Sequence, residues 1–123
     1  YILGDKSSGV FNGKVIVREH TKQTDADQSN KNLLLSPAAL MNANPQLEIY
    51  SEDVKCSHGS TTGQIDSEAL FYMRSRGLTQ RKATELIIGG FAEEIMKSIS
   101  NENISDYINE KINQWLRSSN NDN

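Results

Sequence analysis

Cys56 and His58 stand two residues apart in the run Val54-Lys55-Cys56-Ser57-His58-Gly59, which holds the only cysteine of the chain and one of its two histidines. On an extended strand side chains alternate between faces, so the two project to the same side. Thiolate and imidazole are the usual soft ligands for iron–sulfur clusters, zinc and copper. A closed metal site needs four donors, and this pair supplies two at most. Two readings stand. The pair is a structural cysteine beside a satisfied surface histidine, or it is half of a site that a second polypeptide completes. Glu48, Glu52 and Asp53 are close in sequence but at no specific spacing, and His20, between Glu19 and Thr21, reads as a solvated turn histidine.

Other chemistry finds little support. There is no phosphate-binding glycine loop and no Ser/His/Asp or Cys/His triad. Glu93 and Glu94 are adjacent on a helix and so point apart. An enzyme in its own right is not expected, and an independent metalloenzyme would need more ligands than the pair offers. Phe71, Tyr72, Arg74 and Arg76 form a second cluster. The arginines complement a helix C-terminus, or the four make a docking surface of the aromatic and arginine type common in binding hot spots. Gly89-Gly90 likewise marks close packing against the chain's own β portion or close approach of a partner.

The elements around these residues change character near Gly63. From Gly9 to Gln64 the apolar residues come in short bursts, including Val10-Phe11, Val15-Ile16-Val17, Leu33-Leu34-Leu35, Leu47 with Ile49, and Val54 with Cys56. Their β-branched content predicts strands of three to five residues. Polar bends are expected at Asn12-Gly13, Thr24 to Asn32, Ser36-Pro37 and Asn42 to Pro45. Asn12-Gly13 is a hairpin signal, yet the continuous run Val15 to Val17 suits a strand buried on both sides or the coil of a solenoid. The spacing from Ile16 to Leu34 and on to Leu47 is compatible with a parallel β-helix; a small antiparallel sandwich competes with it.

Beyond Gly63 a helical period takes over. Asp66 or Ser67 can cap a helix running from Glu68 to Ser75, with Gly77 as its C′ residue. A second helix starts at Thr79 with the stripe Ala83, Leu86-Ile87, Gly90-Phe91, Ile95 and Ile99. A third, Ser105 to Leu116, is expected to bury Ile104, Ile108, Ile112 and Trp115-Leu116. The fold class is therefore α+β, strands then helices, with a β portion over 1–65, a helical domain over 66–117 and a disordered tail over 118–123.

Size and charge narrow the partners. The 123 residues make one core of moderate size, and the net charge of −3 argues against a nucleic-acid partner. Neither half is basic: six Lys/Arg oppose seven Asp/Glu through Ile65, and seven oppose nine after it. No apolar run approaches the roughly 20 residues that span a bilayer, and the first residues lack the apolar core of a signal peptide. A single cysteine excludes an internal disulfide, so a reducing compartment, the cytoplasm, is expected. Opening on Tyr1 in mid-pattern suggests a fragment of something longer.

Four runs name a family. GVFNGKVIVR (Gly9 to Arg18), NKNLLLS (Asn30 to Ser36), PQLEIYSEDVKCSHG (Pro45 to Gly59) and GQIDSEALFYMRSRG (Gly63 to Gly77) together resemble the C-terminal part of the SufB/SufD family of the SUF iron–sulfur cluster assembly system. They cover most of residues 9 to 95, and the KCSHG form is closer to the SufD branch than to the SufB branch. The resemblance implies a right-handed parallel β-helix followed by about three helices, which favours the solenoid over the sandwich. It implies a non-enzymatic scaffold that pairs with a SufB-like subunit and recruits SufC, an ABC-type ATPase, through the helical domain. No cofactor is implied as stably bound by this chain alone; a transient cluster forms at the interface, with His58 as a ligand and Cys56 as an auxiliary thiol. It also points to Asp66 to about Phe91, with Phe71, Tyr72, Arg74 and Arg76, as the region that docks the ATPase. An open coil end predicts self-association as a homodimer. A structural adaptor with no ligand role is the alternative.

Overall fold

The computed structural model describes residues 1–118. They form β1 (Ile2–Leu3), β2 (Ser8–Val17), β3 (Thr24–Leu34), β4 (Leu40–Ile49), β5 (Val54–Gln64), α1 (Ser67–Ser75), α2 (Gln80–Met96) and α3 (Glu102–Ser118). The chain divides into two compact units, Tyr1–Gln64 and Ile65–Asn123.

In the first unit the strands alternate between two sheets, one in the order β1-β3-β5 and the other pairing β2 with β4. Every pairing is parallel. Ser8 faces Leu40 and Val17 faces Ile49, while Thr24 faces Val54 and Leu34 faces Gln64. Each strand thus stacks on the one about thirty residues earlier. Parallel ladders overturn the antiparallel sandwich as an alternative.

The strands are also longer than expected. β2 to β5 run 10 or 11 residues, not three to five. Asn12-Gly13 lies within β2, opposite Asn44 and Pro45, and makes no hairpin. Thr24 to Asn32 and Asn42 to Pro45, expected as bends, are strand. The physical reason is pairing between stacked strands. Asn30 takes a 2.9 Å bond from the Ser60 hydroxyl, Ser57 donates to Asp27, and Lys55 stands 4.0 Å from Asp25. A polar strand is sustained by a polar partner, so hydropathy does not announce it. The bends fall instead between the strands, as at Arg18–Gln23, where His20 and Gln23 adopt φ of 64° and 52°.

The interior is mixed. Val17, Leu33 and Ala39 are buried, and so are Asn30 and Asn32. The Asn32 amide donates to Asn30 Oδ1 at 2.7 Å, the Thr61 carbonyl at 3.0 Å and Thr62 Oγ1 at 3.2 Å. Such bonds offset the cost of burying an amide.

The helical unit follows its capping residues closely. Asp66 Oδ1 accepts from the Glu68 amide at 2.9 Å and Thr79 Oγ1 from the Lys82 amide at 3.2 Å. α1 ends in a Schellman arrangement: the Leu78 amide donates to Met73 O, the Gly77 amide to Arg74 O, and Gly77 has φ of 93°. The buried face of α2 is Ala83, Ile88 and Met96, while Leu86 and Ile95 of the expected stripe are exposed. α3 is longer than expected and buries only Leu116; Ile108 and Ile112 are half-buried, Ile104 and Trp115 exposed. Among the described residues a Cβ on Gly89 or Gly90 would meet nothing within 4 Å. Ser118 is the last described residue of α3, and 119–123, the rest of the expected tail, lie outside the described residues.

Candidate functional site: the last strand of the β unit and the first helix

β5 places Cys56 and His58 in register with Ala26 and Gln28 of β3. On β3 the exposed residues Asp25, Asp27 and Ser29 alternate with the better-covered Ala26, Gln28 and Asn30. Cys56 and His58 therefore belong to the inward-turned face of their sheet. The position on the outermost strand of that sheet changes the consequence. β5 has a neighbour on one side only among the described residues, so His58 remains solvent-exposed, and Cys56, a free thiol, is half-covered.

His58 is held by one contact. Its Nδ1 lies 3.1 Å from the main-chain carbonyl of Pro45, on β4 of the other sheet. A carbonyl only accepts, so it is Nδ1 that donates in this contact. Two of the three carboxylates close in sequence, Glu48 and Asp53, are engaged elsewhere. Glu48 pairs with Lys14 at 2.5 Å, a bond that raises the lysine pKa, and Asp53 Oδ2 accepts from the Gln23 amide at 2.9 Å. Among the described residues no group of three His, Cys, Asp or Glu could hold a metal ion. The chain brings together two donors and stops there.

His20 sits in the bend after β2, in a shallow depression with Thr21 and with Tyr50, Ser51 and Asp53 of the bend that leads into β5, and neither Cys56 nor His58 lines it. Sequence reasoning missed the Pro45 carbonyl. A backbone atom has no signature in composition, and the one available signal was a proline inside a strand, which suits an edge strand because proline gives no N–H to a ladder.

The other cluster lies on α1, which buries none of its residues. Phe71 is 73% and Tyr72 59% exposed, and the Arg76 guanidinium stands 5.1 Å from the Tyr72 ring centroid. Arg74 occupies the last turn, where its charge complements the helix dipole. Phe71 and Arg74 border a shallow hollow of about 430 Å³ with Leu78 and Thr79.

Residues 1–91 match the family described as SUF system FeS cluster assembly, SufBD core domain. The chain belongs to the SufBD family. Among its relatives, the iron–sulfur cluster assembly protein SufD of Escherichia coli is 44% identical over 94% of this chain and 27% of its own length. An iron–sulfur cluster assembly SufBD family protein of Synechocystis is 44% identical over 80% of this chain and 22% of its own length. SufD of Bacillus subtilis is 31% identical over 84% and 24%. The chain thus spans about a quarter of the relatives it matches. No helix among the described residues is long and apolar enough to cross a membrane.

Proposed function

We propose that this chain is part of a non-enzymatic scaffold subunit in SUF cluster assembly, working in the cytoplasm. Its β unit is a segment of a right-handed β-helix that pairs with a SufB-like subunit. The near-universal right-handedness of parallel crossovers supports that hand for β2 to β4 and β3 to β5. His58, with Cys56 as an auxiliary thiol, contributes to a site between the subunits, and the partner supplies the remaining donors. The nascent cluster is cargo at that site. Phe71, Tyr72, Arg74 and Arg76 recruit a SufC-like ATPase. The observation that carries the reading is the pair itself: two soft donors on one face of an outermost strand, His58 exposed and only one ring nitrogen engaged.

The experiment is cluster reconstitution in the assembled complex with SufB-like and SufC-like partners. His58→Ala should lower cluster yield by roughly tenfold or more while complex assembly on a sizing column is unchanged. Phe71→Ala with Arg74→Ala should instead release the ATPase. The exposure of Phe71 and Tyr72 favours the second reading, a positioning adaptor, if His58→Ala leaves the yield intact and only the helix variant has an effect.

A further inference from the structure

The bond between His58 and Pro45 crosses from one sheet to the other, 13 residues apart in the chain. We infer that the Pro45 carbonyl is a positioning group, which locks the His58 imidazole in the Nδ1–H tautomer and so aims Nε2 at the incoming iron. The inference rests on the ligand reading of His58.

Three observations carry it. Nδ1 is 3.1 Å from an oxygen that can only accept, so the proton must sit on Nδ1. No hydrogen bond to Nε2 is present among the described residues, which leaves that lone pair to a visitor. Finally, the Pro45 carbonyl is part of a paired strand: Pro45 stands opposite Gly13 within the β2–β4 ladder, and its ring fixes φ, which narrows the conformations open to that peptide. Metal-binding histidines generally donate their second N–H to a carbonyl or carboxylate, which fixes both tautomer and ring direction. Here the Pro45 carbonyl occupies that outer position. The free side chain favours the opposite tautomer, with the proton on Nε2, and would have to switch before coordinating through that atom.

The test labels the chain with ¹⁵N-histidine and reads the tautomer from long-range ¹⁵N–¹H correlations near pH 8.5, about two units above the ordinary histidine pKa. With His20 and His58 the only histidines, His58→Gln assigns the signals. The expected result is a majority of Nδ1–H for His58 in the folded chain, reverting to mainly Nε2–H in urea. An Nε2–H majority in the folded chain overturns the inference and leaves His58 free to act as a ligand by another route. In Pro45→Gly the ratio should move toward the unfolded value, and cluster yield in the complex should fall about tenfold. A fall in yield with the native ratio retained overturns the positioning role. If Pro45→Gly does not fold, the ratio in the unsubstituted chain decides. An intact yield in His58→Ala, by contrast, removes the ligand reading while leaving the tautomer measurement standing.

Discussion

Gly13 shows how much one missing side chain decides. A Cβ there would stand 2.6 Å from Phe11 Cζ and 2.9 Å from Cε1, and it would also collide with Gln28 Nε2. Gln28 is on β3 and Gly13 on β2, so the Gln28 side chain reaches across to the other sheet at this point. Gly13→Ala should destabilise the β unit by about 1–3 kcal/mol, because the Phe11 ring has to leave its rotamer. Gly59→Ala is the control: its Cβ meets nothing within 4 Å, and a more restricted unfolded chain should make it neutral or stabilising by up to about 1 kcal/mol. Urea unfolding of both variants checks the contrast; equal midpoints would refute the close approach. The dipeptide Asn12-Gly13 invites a turn in the sequence because glycine is read as freedom. In the fold it provides room.

At the scale of elements, the helices were legible and most of the strands were not. Caps are local chemistry: Asp66 and Thr79 sit next to the amides they accept from, and Gly77 terminates α1 two residues past Ser75. Gly77→Ala should cost about 1–2 kcal/mol, since φ of 93° is unfavourable for a residue with a Cβ. A lowered thermal midpoint with helix content otherwise retained would confirm it, and an unchanged midpoint would show that α1 does not need its glycine. β3 reads TDADQSNKNLL and carries no hydrophobic alternation over its first nine residues. Its partners lie thirty residues on, at Ser57, Ser60 and Thr61, and pairing at that distance leaves no local trace. The same reason explains the site. Cys56 and His58 on one face follow from strand alternation, whereas the Pro45 carbonyl comes from the opposite sheet. The α2 stripe slipped by about one position: Ile88 and Met96 are buried where Leu86 and Ile95 are expected, and Gly90, part of the expected stripe, faces open space.

For the whole molecule the open question is what meets the free side of β5. The strand offers 11 residues with a neighbour on one side only among the described residues. Natural edges are guarded by proline, lysine or a bulge. β4 has Pro45; β5 has no proline and a single lysine, Lys55, near its start. About half of the backbone groups of a strand point to each side, so pairing with a second strand over this length adds roughly ten hydrogen bonds at about 1 kcal/mol net each. Association costs about 4 to 15 kcal/mol, which offsets most of that gain. With side-chain contacts as the only further gain, a pair of identical chains should bind weakly, nearer millimolar than nanomolar. Light scattering across a concentration series should therefore show monomer when dilute and a rising dimer fraction when concentrated. Thr61→Lys, exposed on β5, should suppress the dimer, as an edge lysine does. Excess SufB-like subunit should do the same if both compete for one edge. A monomer at every concentration would mean that the edge of β5 is covered within its own chain, and pairing through that strand would then fail for the SufB-like partner as well.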